Sequence, residues 1–309
     1  MNSKPPSTPM SEGQRTPPGA ASAERADPEV SAGAGALFRR SLVALMLIAV
    51  WGAVGLAARL SPDAYLLIGI PLMLVFQRYI ARKPLCSAWD FDGYPLRWGG
   101  LTWLAGLAVA AGPGWLLFSQ VQSAHEHPLG IAHVLWCLTA MVGAFIGVAT
   151  IRAQRRAAAF RQMPLIVFTL IIGCGLMVSG KFSLPNGGIA LPSPTVSPAL
   201  AWSLACTFFG ISFLTEEVAF RGLLDPYLRQ VARGPTQEFV SALVGSALWA
   251  AWHLPVASAF MTLDPVTVIR LFALHIGLGI LLCFIARGSG TLAPSSLVHV
   301  LIDTVRESF

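Results

Sequence analysis

Long segments without a charged residue recur along the chain. Residues 41–58, 98–125, 127–151 and 162–180 contain no Asp, Glu, Lys or Arg, and these segments are 18 to 28 residues long. A helix needs about 20 apolar residues to cross the hydrocarbon core of a membrane. Because lipid offers no partner for backbone polar groups, such segments fold as helices. The pattern therefore predicts an all-α, polytopic membrane protein.

We predict a helix bundle of about eight spans, with nine as the upper count. The predicted spans are 41–58, 64–80, 99–120, 130–151, 164–180, 199–224, 237–257, 267–286 and 291–305. The second and the last of these are short. The second has only 14 uncharged residues between Asp63 and Arg78, although a long arginine side chain near a helix end can extend to the membrane surface.

Composition agrees with a membrane protein and narrows the functional classes. Hydrophobic residues make up 55% of the 309 residues and charged residues only 12%, against about 25% charged residues in a typical soluble domain. The net charge of +6 does not indicate nucleic-acid binding, because the basic residues form short clusters between the predicted spans. The five cysteines are scattered without metal-ligand spacing, so we interpret them as small core residues.

The N-terminal segment and the loops predict where the chain lies relative to the membrane. Residues 1–36 are rich in Pro, Ser, Ala and Gly and lack the apolar content to fold, so we predict a disordered cytoplasmic tail. The first apolar run is long enough to remain as a span, so we expect no cleavable signal peptide.

Basic residues flank alternate predicted loops, and positive charge is retained on the cytoplasmic side. We therefore expect loops 81–98 and 152–163 in the cytoplasm, together with the N-terminus. Loops 121–129 and 181–198 then lie on the opposite side of what we expect to be the plasma membrane. The basic residues that carry this prediction are Arg39, Arg40, Arg78, Arg82, Lys83, Arg97, Arg152, Arg155, Arg156 and Arg161.

The last third of the chain differs from the rest because its apolar segments contain ionisable residues. Three clusters occupy residues 215–222 (TEEVAFRG), 249–253 (WAAWH) and 299–303 (HVLID). A charged side chain at membrane depth is costly, so such residues are rare and face a cavity or a charged partner. The clusters therefore indicate a functional site.

Spacing within the clusters suggests roles for their members. Glu217 and Arg221 are four residues apart, so they share one helical face and can pair. Glu216 points about 100° away from Glu217 on an α-helix, and an unpaired carboxylate in an apolar cavity suits a general base. His299 and Asp303 are also four residues apart and can act together on one substrate.

The second cluster meets the first if the chain forms a helical hairpin. The helical rise is roughly 21 Å from Glu217 to Val231 and roughly 24 Å from Gln237 to His253. An antiparallel return through residues 232–236 therefore places His253 level with Glu217.

Each of these residues also has a structural explanation. An intramembrane Glu–Arg pair is often structural when it stands alone. Trp249 and Trp252 fit the aromatic belt of a membrane interface. His133 and His275 are lone histidines on apolar helices, where a packing role is the simpler interpretation, and the histidines of loop 121–129 are interpreted as solvated. The occurrence of all three clusters in one third of the chain favours function.

The clusters resemble the three signature motifs of the CAAX-protease and bacteriocin-processing (CPBP) family, also called abortive-infection proteins, which includes the type II CAAX prenyl proteases. The matching residues are Glu216-Glu217-x-x-x-Arg221, Trp249-x-x-x-His253 and His299-x-x-x-Asp303. The resemblance covers roughly residues 199–305. It divides the chain into the tail 1–36, N-terminal transmembrane helices 37–198 and a catalytic helical core 199–309.

The resemblance implies an intramembrane endopeptidase of the glutamate type. Glu216 would activate water with the help of His253, and His299 with Asp303 would stabilise the tetrahedral oxyanion. The expected partners are a membrane-associated peptide or protein substrate, prenylated or not, and the lipid bilayer, without nucleic acid. We expect the cavity to open towards the cytoplasm or the membrane.

The supporting residues that the resemblance implies are Glu217, Arg221 and Trp249. Two positions depart from the family pattern: Trp249 stands where Phe is usual, and Asp303 stands where Asn is usual. An Asn amide donates to an oxyanion, whereas an ionised Asp only accepts. Asp303 is therefore protonated, orients His299, or completes a metal shell.

Other functional classes stay open from the sequence. A catalytically idle member would act as a membrane scaffold or a bacteriocin-immunity protein. A transporter would use the same ionisable residues as proton carriers. Glu216, His253 and His299 have the ligand types of a zinc site, but each comes from a different span, so we favour an enzyme without a metal cofactor.

Overall fold

Every regular element of the described chain is a helix, which confirms the all-α prediction. The structure is a computed structural model and describes residues 28–88, 96–123, 130–179, 195–258 and 264–309. Its N-terminal half contains α1 (Pro28–Ala57), α2 (Pro62–Val75) with a π-helical continuation (Phe76–Ile80), a 3-10 turn (Leu85–Ala88), α3 (Gly100–Ser123), α4 (Ile131–Ala153), the short α5 (Arg156–Arg161) and α6 (Met163–Ser179).

The C-terminal half of the chain carries the ionisable clusters. Its elements are α7 (Pro198–Ser212), a π-helix (Phe213–Leu224), α8 (Asp225–Arg229), α9 (Gly234–Trp252), the short α10 (Leu254–Ser258), α11 (Pro265–Ser289) and α12 (Ala293–Ser308). The chain from α7 to α8 is continuous and forms one long span, Pro198–Arg229.

The described helices confirm a bundle of about eight spans. Seven of them are long and apolar enough to cross a membrane, and Met163–Val178 in α6 adds a shorter apolar helix. The predicted ninth span, 291–305, forms the helix α12, which at 16 residues is shorter than those seven and carries Asp303, Arg306 and Glu307.

The predicted boundary of the N-terminal tail needs a correction. Residues 1–27 lie outside the described residues, but α1 already begins at Pro28, so the prediction that the tail extends to residue 36 is wrong. Gly33, Ala34, Gly35 and Ala36 are small residues that do not interrupt the helix, and they add length to the first apolar segment.

The outward surface of the bundle is apolar along most helices. Large hydrophobic side chains that are more than half exposed include Met46 on α1, Leu104 and Leu107 on α3, Val142 on α4 and Ile171 on α6. A soluble monomer rarely exposes such extended apolar area, whereas lipid accepts it. The chain is an integral membrane protein.

Small residues let α7 approach α4 closely in the centre of the bundle. A Cβ added at Gly143 would lie 2.0 Å from the carbonyl oxygen of Gly210, and one added at Gly210 would lie 1.9 Å from that of Ala140. Glycine at both positions allows this backbone contact, which is typical of helix packing in membranes. The contact fixes the helix that continues into the π-helical cluster.

The helix ends fall into two groups that lie at opposite ends of the bundle. We call one the basic end, which contains the start of α1, the α2–α3 and α4–α6 connections, the α8–α9 turn and the end of α11. Hydrogen bonds that tie it together are Arg40–Gln230 (2.9 Å), Arg152–Thr102 (2.7 Å), Gln154–Ser289 (3.1 Å) and Arg287–Asp225 (3.0 Å).

The other group is the distal end. It contains the α1–α2 turn, the starts of α4, α7 and α11, the end of α9 and the end of α12. Hydrogen bonds that tie it together are His133–Asp63 (2.9 Å), Tyr65–Trp252 (3.0 Å) and Thr195–Ser308 (2.7 Å).

The predicted orientation can be tested with one cysteine at each end. In a background without the native cysteines, Ala157→Cys lies exposed at the basic end and Ser123→Cys lies exposed at the distal end. We expect a membrane-impermeant maleimide to label Ser123→Cys on intact cells and to label Ala157→Cys only after permeabilisation, because basic loops stay in the cytoplasm. Labelling of both positions from the same side would show that the orientation is wrong.

Candidate active site

The first ionisable cluster lies in a π-helix of twelve residues, Phe213–Leu224. A π-helix pairs each residue with the one five positions along, is wider than an α-helix, and occurs frequently at functional sites. Glu216, Glu217 and Arg221 are all buried in it. The predicted 100° angle between Glu216 and Glu217 assumed an α-helix. The backbone here is a π-helix instead, so that angle does not apply.

Glu217 is fully enclosed and contacts three side chains. Its Oε1 atom lies 3.2 Å from Nη1 of Arg221 and accepts a 2.9 Å hydrogen bond from Nδ1 of His299. Its Oε2 atom accepts a 2.8 Å hydrogen bond from the hydroxyl of Ser295. The predicted pairing with Arg221 is confirmed, and Glu217 also joins the π-helix to α12.

Glu216 points to a different set of groups. Trp249 on α9 donates a 2.9 Å hydrogen bond from Nε1 to Oε2 of Glu216. The same carboxylate oxygen lies 3.6 Å from Nε2 of His253 and 3.8 Å from Nε2 of His299. These two distances exceed a hydrogen bond, so the histidines face Glu216 without bonding to it directly.

The long span Pro198–Arg229 and α9 form an antiparallel hairpin, which brings His253 level with Glu216 although part of the first arm is π-helical. His253 follows the last residue of α9, and its Nδ1 atom donates a 2.8 Å hydrogen bond to the carbonyl oxygen of Trp249. Because a carbonyl only accepts, this bond places a proton on Nδ1. It also orients the Nε2 atom towards Glu216.

Helix α12 supplies the third side of the site. His299 and Asp303 lie one turn apart, with 3.5 Å between Nε2 of His299 and Oδ2 of Asp303. The other oxygen of Asp303 lies 3.3 Å from Nη1 of Arg306. Asp303 therefore lies between a histidine of the site and an arginine nearer the end of the chain.

The structure brings the four predicted catalytic residues together. They are Glu216, His253, His299 and Asp303. The predicted supporting residues surround them, and the guanidinium of Arg221 stacks 4.2 Å from the ring of Trp249. Trp249 and Trp252 are 2% and 1% exposed. Their alternative interpretation as membrane-interface aromatics is therefore wrong.

Sequence reasoning missed two residues of the site, Ser295 and His275. Ser295 lies four residues before His299, a spacing that predicts a shared face, but serine is too common on such helices to stand out. The ring of His275 on α11 lies 4.0 Å from the ring of His253, centroid to centroid. No motif surrounds His275 in the sequence, and only the packing of α11 against α9 reveals it.

The other histidine on an apolar helix lies away from the site. Nδ1 of His133 is 2.9 Å from Oδ2 of Asp63, and Nε2 is 3.7 Å from Sγ of Cys137. The pair ties the start of α4 to the start of α2, which agrees with the packing role predicted for His133. His125 and His127 lie outside the described residues.

The structure also bears on the zinc alternative. Within residues 28–88, 96–123, 130–179, 195–258 and 264–309, no group of three or more His, Cys, Asp or Glu side chains is arranged to hold a metal ion. His299 already uses Nδ1 for Glu217. We therefore derive no chemical step through a metal, and metal independence stays a prediction.

Comparison with known families identifies one match, which lies over the site. Residues 197–305 match the family described as type II CAAX prenyl endopeptidase Rce1-like. This confirms the resemblance drawn from the three motifs and covers α7 to α12 almost completely. Comparisons with curated proteins and with solved structures found no match.

The buried ion pair predicts a stability effect for Arg221. Arg221→Ala leaves Glu217 charged and enclosed without its cation, so we expect a loss of about 3–5 kcal/mol in the free energy of unfolding. Thermal unfolding in detergent measures the loss. The matched control is Arg156→Ala, which removes an exposed arginine of α5 and is expected to leave the melting temperature unchanged. A stable but inactive Arg221→Ala variant would instead indicate a direct catalytic role.

Proposed function

We propose that this chain is an intramembrane endopeptidase that hydrolyses a peptide bond with a water molecule activated by Glu216. The observation that carries the proposal is the convergence of three atoms, one from the π-helix, one from the residue that follows α9 and one from α12. Oε2 of Glu216 lies 3.6 Å from Nε2 of His253 and 3.8 Å from Nε2 of His299. The matched family of CAAX-type endopeptidases supports the same reaction class.

The first step is the activation of water. A water molecule at about 2.8 Å from both Glu216 Oε2 and His253 Nε2 would hydrogen-bond to both atoms, and their 3.6 Å separation allows this. Glu216 accepts one proton from the water as its oxygen attacks the carbonyl carbon of the substrate. His253 orients the water, because its Nδ1 proton is held by the Trp249 carbonyl.

In the second step the tetrahedral intermediate is stabilised and then breaks down to the products. With a proton on both ring nitrogens, His299 donates from Nε2 to the oxyanion and from Nδ1 to Glu217. Donors aimed at a developing oxyanion supply much of the catalysis in such reactions. When the intermediate collapses, the C–N bond breaks and the proton on Glu216 passes to the leaving amine, which regenerates the Glu216 carboxylate.

Asp303 acts in this proposal by positioning His299. A carboxylate cannot donate to the oxyanion as the usual Asn would. Asp303 instead lies 3.5 Å from His299 Nε2 and 3.3 Å from Arg306, so its charge attracts the imidazolium and leaves the Nε2 proton available to the oxyanion. Glu217 holds the same ring at Nδ1, and Arg221 in turn holds Glu217.

The substrate is a peptide or protein segment that reaches the site at the membrane. The matched family acts on peptide bonds, and the site lies among apolar helices. The cytoplasmic N-terminus belongs to the same proposal and is supported by the distribution of basic residues. Location in the plasma membrane is also proposed.

The proposal predicts the effect of a nearly isosteric change at the base. Glu216→Gln keeps the size of the side chain and can still accept from Trp249, but it cannot take a proton from water. We expect cleavage to fall at least about a thousandfold, with normal membrane insertion, in line with the loss of a general base. Mass spectrometry would compare the peptides in membranes that contain the wild-type protein with those in membranes that contain Glu216→Gln. Peptides found only with the wild type are cleavage products. Near wild-type turnover in the variant would contradict the proposal, and a catalytically idle scaffold would show no difference between the two.

The metal-free reaction is predicted separately. A carboxylate that must hold the proton of the water cannot also be fully committed to a metal ion, and the three candidate ligands come from three distant segments of the chain. We expect purified protein to keep its activity after exhaustive chelation and to contain well below one zinc per chain. Stoichiometric zinc, with activity lost on chelation and restored by zinc, would overturn this prediction.

A further inference from the structure

The polar side chains of the site become more exposed towards the distal end of the bundle. The side chain of Glu216 is 10% exposed, that of Asp303 is 13% exposed and that of His253 is 18% exposed. Along α12 the next arginine, Arg306, reaches 46%. Because α12 runs from the basic end to the distal end, the site becomes accessible towards the distal end.

The opposite direction is closed by buried and paired charges. Along the long span the side chains of Glu217, Arg221 and Asp225 are 0%, 1% and 1% exposed. Asp225 is bonded to Arg287 of α11, and Arg287 also donates to the backbone carbonyl of Glu238 on α9. These interactions join α8, α9 and α11 between the site and the basic end, so an aqueous path from that end would have to break them.

The distal end also has a cavity beside the site. The cavity is lined by residues of the α1–α2 turn, among them Arg59 and Leu60, and by Tyr65 and Pro255. Tyr65 donates to the carbonyl oxygen of Trp252, the residue before His253. Pro255, which lines the cavity, lies two residues after His253 in the chain. Arg59 in the cavity offers a cation for an anionic part of a substrate.

The charges of the two ends differ strongly. The distal end carries Arg59, Arg270 and Arg306 among the described residues. Positive charge is retained on the cytoplasmic side of membrane proteins, so the basic end lies in the cytoplasm. The basic side chains at that end are Arg39, Arg40, Arg78, Arg82, Lys83, Arg97, Arg152, Arg155, Arg156, Arg161, Arg229 and Arg233.

We infer that the site opens at the distal end and takes substrates from the non-cytoplasmic side of the membrane. The inference rests on the proposed function, from which it takes the hydrolysis of a peptide bond. It adds a restriction on the class of substrate. The substrate is an exported peptide, or the outer end of a membrane-inserted segment, rather than a C-terminal tail that is presented from the cytoplasm. This differs from the expectation, based on sequence, of a cavity that opens towards the cytoplasm or the membrane.

Sided labelling of a residue in the site tests the opening without any need for a substrate. Asp303→Cys, in a background without the native cysteines, would be treated with a cationic, membrane-impermeant methanethiosulfonate in right-side-out and in inside-out vesicles. We expect at least tenfold faster modification in right-side-out vesicles. The matched control on the same helix is Ser295→Cys, which is fully buried and should react slowly in both preparations.

Every result of this labelling decides the inference. Faster modification of Asp303→Cys in inside-out vesicles would overturn it, and so would the absence of modification in both preparations. If the variant does not fold, His253→Cys provides the same measurement from the residue that follows α9.

A cleavage arm separates this inference from the proposed function. Wild-type vesicles of each orientation would receive an impermeant fluorogenic peptide library, and we expect cleavage only in right-side-out vesicles before detergent is added. Cleavage only in inside-out vesicles would overturn the inference and leave the protease activity intact. Absence of cleavage even after detergent would contradict the proposed function, while the labelling would still report where the site opens.

Discussion

The enclosed carboxylate of Glu217 is the interaction on which the site depends. A charge buried in apolar surroundings is stable only when it is paired and hydrogen-bonded, and Glu217 meets this demand with Arg221, His299 and Ser295. These contacts join the π-helix to α12, which follows it by some 70 residues in the chain. The imidazole of His299 is thereby held at one fixed position and orientation.

Because Glu217 is fully engaged, Glu216 remains for a different task. In the wider π-helix both glutamates face the interior of the bundle. Glu217 contacts Arg221 and His299, whereas Glu216 faces the Nε2 atoms of His253 and His299. Trp249 connects the two environments, since its ring covers Arg221 and its Nε1 atom donates to Glu216. A smaller aromatic ring without a donor, such as the Phe that is usual at this position, would keep the stacking and lose that hydrogen bond.

Much of this architecture could be predicted from the sequence, for identifiable reasons. Uncharged segments reveal membrane helices because lipid forbids unpaired charges, and the four-residue spacing of Glu217 and Arg221 predicts their pairing. The π-helix could not be predicted, because no residue pattern distinguishes it from an α-helix. The contacts of His275 and Ser295 depend on how distant helices pack. The start of α1 was missed because small residues near Gly33 resemble those of an unstructured tail.

The central claim is that two adjacent glutamates have different tasks, one in stability and one in chemistry. The most direct measurement is the free energy of unfolding of Glu217→Gln and Glu216→Gln, compared side by side in detergent. Glu217→Gln should lose about 3 kcal/mol or more, because it leaves Arg221 buried without its anion. Glu216→Gln should stay within about 1 kcal/mol of wild type, because it keeps the bond from Trp249. Equal losses in the two variants would contradict the account.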